Sequence, residues 1–341
     1  MAIAPPMPGL LSERQQEVES ALHEQMDKAS ASGLPLYRMM RYQLGWLEQD
    51  GSDTPATPPE RFFGALCLEA AAMWGKGNGA AGGIAAAAVE LMYESLNVHE
   101  EMQSGEARAE TRPAVWWIWG PAQAINVGDG LHALARLGLF RFQESLSAEE
   151  TLAAVNTLDS LALRYYEGQY LELTYQERID VTAAQYLAMA EAKMGALFGG
   201  TMSLGARAAG APGEAADALW AFGAKLGIAT QIRQDVAAIW DDGNDQGRLL
   251  NKSKLYPIIH ALETGSTPQK RSLGGIYFKR VIERKDLDSL RSVLDEVGSK
   301  QSALALANDT AAEALQLLDA VGVDASSKER WEAITKALIE G

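Results

Sequence analysis

A single cysteine, Cys67, stands in 341 residues, which excludes an intramolecular disulfide and any multi-cysteine metal site. Histidine is nearly as scarce. The four present (His23, His99, His132 and His260) include no His-x-x-x-His pair. Positive charge is also in short supply: 30 Lys and Arg face 45 acids, a net charge of −15. That field repels nucleic acid and anionic membrane surfaces, and no basic patch stands out against it, so no nucleic-acid partner is expected. An anionic ligand would need a local cluster of Lys or Arg, or a bridging cation. No apolar run approaches the ~20 residues of a membrane span. The opening "MAIAPPMPGLLSERQQ" has no basic stretch followed by an apolar core. These absences together predict a soluble, cytoplasmic protein without a transmembrane segment.

What the chain has in quantity is helical periodicity. Ser147-x-x-Glu150, Thr182-x-x-Gln185 and Ser326-x-x-Glu329 each read as a capping box that opens an apolar-periodic run. Over 213–240, Leu219, Phe222, Leu226, Ala229 and Val236 recur at helical spacing. Gly223 and Gly227 lie one turn apart, where a neighbouring helix could approach closely. Alternating β-branched runs with hairpin signals are missing, so the fold class is all-α. Breakers fall at "DGSDTPATPPE" (50–60), "GKGNGAAGG" (75–83), "TRPAVWW" and "DDGNDQGR" (241–248). None is a linker long enough to divide the chain, so 1–341 is expected to form a single domain. Residues 1–9 are expected to be disordered, and 265–341 to supply shorter amphipathic helices that complete the structure. Cys67, inside "FFGALCLEAAAMW", reads as a buried structural thiol.

One short stretch carries a different signal. "VHEEMQSGE" (98–106) sets His99, Glu100, Glu101 and Glu106 between an alanine-rich segment and Trp116, Trp117 and Trp119. Taken alone it is either a solvated helix end, where most Glu resides, or a ligand-bearing site. For the tryptophans, core packing competes with cation-π contact to a carbocation.

The segment "AAAAVELMYESLNVHEEMQSGEARAETRPAVWWIWGPAQAINVGDGL" resembles the heart of the trans-isoprenyl diphosphate synthases. In that family a long helix ends in His-Asp-Asp-x-x-Asp, followed by an arginine pair, Pro-x-x-Trp and Ala-Ile-Asn-x-Gly-Asp. "GQYLEL" (168–173), "YLAMAEAKMGALFGG" (186–200), "FGAKLGIATQIRQDVAAIWDD" (222–242) and "NKSKLYPIIHALE" (251–263) are similar to further family blocks, in the same order. The resemblance covers about 57–264. It implies the isoprenoid synthase fold, a bundle of long antiparallel helices around a deep apolar cavity with two Asp-rich motifs facing across its mouth. It also implies a prenyl diphosphate substrate, Mg²⁺ as cofactor and a homodimer. Carboxylates at i, i+1 and i+4 on a helix put the first and last one turn apart, where Mg²⁺ can bridge to a diphosphate and stabilise its departure.

The motif positions depart from the family pattern. The first motif is Glu100-Glu101-Met102-Gln103-Ser104, and the second is Gln234-Asp235-Val236-Ala237-Ala238. Of the six aspartates only Asp235 remains, which leaves Glu100, Glu101, Ser104 and Asp235 as candidate metal ligands, with fewer or weaker ions than in the family. Asp242, seven residues past Asp235, is ~10 Å along a helix and too far to share an ion with it. Glu100, Glu101 and Asp235 are the candidate catalytic residues. At the isopentenyl diphosphate site, the Gly-Lys-x-x-Arg block aligns with Thr57–Arg61 and keeps only Arg61. A family histidine becomes Tyr93, and the arginine pair falls on Ala109-Glu110, flanked by Arg108 and Arg112. On the allylic side Lys193 and Gln231 match, as does one of Lys252 and Lys254, although Met194 replaces the threonine that usually follows Lys193. Ser95 and Leu96 stand where tail length is set, and neither is aromatic, which implies a C15–C20 or longer chain.

Ordinary elongation with isopentenyl diphosphate is therefore not expected. The resemblance implies a non-standard enzyme of this fold, either a class I terpene synthase or a prenyltransferase to another acceptor. The alternative is a catalytically silent homologue that regulates an active prenyl diphosphate synthase in a heteromer.

Overall fold

The computed structural model describes residues 4–29, 33–74, 79–108, 112–241, 247–277, 279 and 282–340. Alanine-rich segments and caps build almost all of it from helices. The first half contains α1 (Gly9–Ser12), α2 (Gln15–Ala29), α3 (Pro35–Gln43), α4 (Phe62–Ala72), α5 (Ala80–Ser104), α6 (Val115–Trp119), α7 (Pro121–Leu139) and α8 (Ala148–Gln176). The second contains α9 (Ala183–Ala190), α10 (Ala196–Ala208), α11 (Gly213–Trp240), α12 (Gly247–Leu250), α13 (Tyr256–Thr264), α14 (Thr267–Tyr277), α15 (Arg284–Val297), α16 (Ser299–Val321) and α17 (Ala325–Glu340). A π turn, Glu191–Gly195, joins α9 to α10. Among the described residues the sole strand-like feature is an isolated bridge between Leu47 and Asp53. No helix among them is long and apolar enough to cross a membrane.

The capping boxes at Ser147 and Thr182 form in full, with both reciprocal hydrogen bonds. The third expectation fails. Ser326 lies inside α17, and Asp324 caps that helix by accepting from the Ser327 N–H at 2.8 Å. A carboxylate at a helix N-terminus gains from the macrodipole as well as from the hydrogen bond. α5 starts at Ala80, inside the glycine-bearing stretch read as a loop over 75–83, because Ala80 and Ala81 support a helix there; 75–78 lie outside the described residues. Of residues 1–9, expected to be disordered, 4–9 are described. Pro5 and Pro8 are buried, the Met7 N–H donates to Glu60, and Gly9 opens α1.

α5 packs against α4, α7 and α2, α10 against α4 and α8, and α11 against α10 and α16. The main core joins α2, α4, α5, α7, α8, α10 and α11, and within it Phe62, Phe63, Tyr93 and Phe198 pack edge-to-face or tilted. Cys67 is buried. Trp116 and Trp119 pack on this core, whereas Trp117 is exposed. All five stripe residues of α11 are buried.

The two glycines of α11 meet another backbone. A Cβ on Gly223 would stand 2.8 Å from the Gly199 Cα, and one on Gly227 would stand 2.3 Å from the Met194 carbonyl oxygen. α11 is thus pressed against the π turn and the start of α10 at a separation that only hydrogen permits. Gly227→Ala is expected to destabilise the fold by about 1–3 kcal/mol, the cost of overpacking against a fixed backbone. Gly275→Ala, on α14 with nothing near its added methyl, should instead be neutral or gain up to ~1 kcal/mol. Urea denaturation of both variants checks the contrast, and equal midpoints would refute it.

Candidate active site

Three long helices end at one place, each with a carboxylate close to its C-terminus. Glu100 lies in the last turns of α5, Glu172 in those of α8 and Asp235 in those of α11. Gly105, in the left-handed region (φ 73°), stops α5 directly after Ser104, and its N–H bonds back to the Glu101 and Met102 carbonyls. A helix C-terminus already carries roughly half a negative charge, which disfavours acids there. Three such ends bearing three buried or nearly buried carboxylates therefore require cations.

Two side chains supply them. The Lys193 Nζ, held on the π turn, lies 2.5 Å from Glu172 Oε2 and 3.0 Å from Glu100 Oε2. Arg248 of α12 puts Nη1 2.8 Å from Asp235 Oδ1 and Nη2 3.8 Å from Glu172 Oε1. Tyrosines close both ends of the chain: Tyr165 donates to Glu100 Oε2 and Tyr186 to Asp235 Oδ2, each at 2.6 Å. The Tyr256 N–H gives Asp235 Oδ2 a second donor at 2.9 Å. Burial alone would raise the Glu172 carboxyl, but Lys193 and Arg248 outweigh it and hold it below the ordinary carboxylate range. Burial would likewise lower the Lys193 ammonium, and Glu100 and Glu172 reverse that. Glu101 points elsewhere. It pairs with Arg108 at 2.7 Å, while burial, opposed by Arg108, pushes its carboxyl up to about 7.

Of the residues expected from sequence, Glu100, Lys193 and Asp235 are brought into this one chain. Gln231 is buried one turn before Asp235, with its Oε1 lacking a hydrogen bond. Ser104 is the last residue of α5; its carbonyl accepts from Asn251 at 3.2 Å. The Lys254 Nζ donates to the Gln176 and Lys252 carbonyls and sits 4.6 Å over the Tyr277 ring. Burial and Lys252 lower its amine to about 8. Lys252 itself adopts a left-handed φ of 62°. Ser95 and Leu96 are buried on α5. Asp241 ends α11 in an extended conformation, and Ala109, Glu110 and Asp242 lie outside the described residues.

The expected second-diphosphate residues are spent on the protein. Arg61 is 0% exposed. Its guanidinium pairs with Glu19 at 2.8 Å, donates to the Leu44 carbonyl at 2.6 Å and lies 3.7 Å from Glu94. Tyr93 is buried against Phe63. Arg112 donates to the Tyr42 and Leu47 carbonyls and stacks over the Tyr42 ring. Both guanidiniums are thus engaged by groups of the protein itself. Conversely, Glu172, Arg248, Tyr165 and Tyr186 escaped the sequence reading. Glu172 was visible within "GQYLEL", whereas nothing local marks Arg248 at the end of "DDGNDQGR".

These residues do not fit the Mg²⁺ site expected of Glu100, Glu101, Ser104 and Asp235. Among the described residues, no three carboxylate, histidine or cysteine side chains converge to hold a metal ion. Asp235 is filled by Arg248, Tyr186 and the Tyr256 N–H, Glu100 by Lys193 and Tyr165, and Glu101 is turned to Arg108.

The polyprenyl synthetase family profile matches residues 61–294. A geranylgeranyl diphosphate synthase of Mycobacterium tuberculosis is 34% identical over 238 residues, covering 68% of this chain and 67% of that protein. A (2E,6E)-farnesyl diphosphate synthase of Mycobacterium bovis is 26% identical over 294 residues, 84% of this chain and 80% of its own. The crystal structure of a polyprenyl synthetase from Streptomyces coelicolor superimposes with a TM-score of 0.86 at 25% identity, over 96% of this chain and 98% of that one. The all-α architecture is the isoprenoid synthase fold of these neighbours.

The acidic pocket around Arg61 also holds Glu90, fully buried on α5, which accepts from the Gly64 N–H at 2.8 Å. Burial, opposed by Arg61 and that N–H, pushes its carboxyl up to about 8 from an ordinary 4.5. The folded protein thus keeps a proton that the unfolded chain releases first, so stability falls as pH rises from about 4.5 to about 8. The slope from this group is about 1.4 kcal/mol per pH unit within that window. Glu90→Gln is expected to remove this component, so that the variant gains on the parent steadily from pH 5 to pH 8 in urea melts. Parallel stability curves would contradict the assignment.

Proposed function

This chain belongs to the polyprenyl synthetase family, and we propose that it acts on one prenyl diphosphate without the second-diphosphate site that elongation requires. It works as a class I terpene synthase or as a prenyltransferase to an acceptor other than isopentenyl diphosphate. The sealing of Arg61 by Glu19, Glu94 and the Leu44 carbonyl carries this reading. A guanidinium with no exposed surface cannot bind a second diphosphate without leaving buried carboxylates unpaired, which costs several kcal/mol.

The cations available to the remaining diphosphate are those at the helix ends: Lys193, Arg248, Lys252 and Lys254. Diphosphate oxygens would compete with Glu172 and Asp235 for Arg248, and with Glu100 and Glu172 for Lys193. Tyr165 and Tyr186 keep the carboxylates aligned while the partners exchange. On ionisation the allylic C–O bond breaks and its electron pair leaves with the diphosphate. The carbocation is then quenched by an internal double bond followed by proton loss, or by an acceptor's lone pair. Ser95 and Leu96 leave room for a C15–C20 or longer tail. The reading carries a cytoplasmic location with it.

A second reading is favoured by the closed ion chain itself. With every carboxylate paired internally, the protein would serve as a silent partner that tunes an active prenyl diphosphate synthase. Self-association has its own support. Leu152, Leu163, Tyr166 and Tyr170 are exposed along one face of α8, spaced as a single stripe, and a second copy is the proposed occupant.

Incubation with geranyl, farnesyl or geranylgeranyl diphosphate, each with and without isopentenyl diphosphate and Mg²⁺, is expected to yield diphosphate and a cyclised prenyl product, or a transferred one once cell extract supplies the acceptor. Mass spectrometry should find no product five carbons longer than its substrate. Elongated products would overturn the proposal, and silence in every mixture, with capture of an active synthase, would favour the regulatory reading. Glu100→Ala and Asp235→Ala should each cut turnover by at least about a hundredfold, because each removes one of the carboxylates that orient Lys193 or Arg248. For self-association, light scattering should give a dimer for the parent and a monomer for the Leu163→Glu, Tyr170→Glu pair. A monomeric parent would remove that proposal.

A further inference from the structure

The helix ends raise a question that the prenyl reading leaves open, namely whether a divalent ion can join the two cations already held there. Glu100, Glu172 and Asp235 come from α5, α8 and α11, and Lys193 and Arg248 alternate with them at 2.5–3.8 Å. Each carboxylate already has at least two donors or cations around it. Charge at this cluster sums to −1, three negative against two positive. A divalent ion seated ~2.1 Å from these oxygens would stand within a few Å of a guanidinium that cannot lose its proton. Repulsion at that distance, in a partly buried site where water screens little, opposes such an ion.

Arg248 is held in place by its own segment. The Ser253 N–H donates to the Arg248 carbonyl at 2.9 Å, and the Lys252 N–H to the Leu249 carbonyl at 3.1 Å. Asn251 is tied to the Ser104 carbonyl at the end of α5, and Lys254 to the Gln176 carbonyl at the end of α8. The left-handed backbone at Lys252 turns the chain between these two anchors. The guanidinium therefore sits at a built position on the same helix ends that it neutralises, not on a chance rotamer of a loose loop.

We propose that Arg248 and Lys193 are resident counter-cations that occupy the place of divalent ions between the two motif positions, with Arg248 the residue that keeps such ions out. Remove it, and the cluster falls to −2 with Asp235 and one Glu172 oxygen released, a set that suits one divalent ion. Raising the pH does not open the site, because the guanidinium stays charged. The inference concerns this chain's own charges and holds whether or not the ligand is a prenyl diphosphate.

The test is a Mn²⁺ titration of the full chain, read by the loss of the free aquo-ion's EPR signal, for the parent, Arg248→Ala and Arg248→Lys. Arg248→Ala is expected to gain one site at least tenfold tighter than anything in the parent. Arg248→Lys, which keeps the charge, should stay with the parent, and adding Asp235→Asn to Arg248→Ala should abolish the gain. Should Arg248→Ala melt early, millimolar Mn²⁺ is expected to restore its melting temperature, with no such shift in the parent. Equal Mn²⁺ binding by parent and Arg248→Ala would overturn the proposal, as would an Arg248→Ala protein that neither binds Mn²⁺ nor is restored by it. Neither readout involves turnover, so failure here is separable from failure of the substrate reading.

Discussion

Like-charged helix ends brought together must be neutralised, and the architecture at this end of the bundle follows from that requirement. α5, α8 and α11 converge C-terminus to C-terminus, each adding a carboxylate to a negative partial charge. Unpaired, such buried acids would cost several kcal/mol apiece. Lys193 and Arg248 meet the demand from within the chain. The placement of the π turn and of the 247–254 segment makes sense as the means of delivering those two cations.

Packing and electrostatics meet at the π turn. α11 can press on it because Gly227 has no side chain, and α8 can press from its own side because Gly168 has none; a Cβ there would lie 2.7 Å from the Lys193 nitrogen. The wide turn interrupts the regular helix and turns Lys193 toward Glu100 and Glu172, where one ammonium serves two carboxylates. Wide turns of this kind recur at functional sites because they redirect a side chain without ending the helix.

Much of the fold was legible in the sequence because its signals are local. Two capping boxes, the apolar stripe of α11 and its glycine pair could be read directly, and the ordered blocks identified the architecture. Glu100 and Glu101 could be singled out for the same reason, as neighbours near the end of one helix. What the sequence hid depends on three-dimensional pairing. Arg61 faces Glu19 and Glu94, carboxylates 42 and 33 residues away whose significance appears only once the helices pack. Arg112 answers the backbone at the end of α3 and just beyond it, 70 and 65 residues upstream. Arg248 belongs to a polar stretch that reads as an ordinary loop, and only its contact with Asp235 gives it meaning. Ser326 misled for a local reason: Asp324, two residues earlier, is the better cap.

The clamp on the π turn has a consequence for how this end of the protein measures distance. With Gly168 and Gly227 pressing from both sides, the backbone at 193 can neither retreat nor advance, so reach is fixed by side-chain length alone. A shorter cation at 193 would leave a gap, and a longer one would overshoot Glu172. The spacing between opposite charges is thus gauged from a zero point set by two absent methyl groups, one on α8 and one on α11.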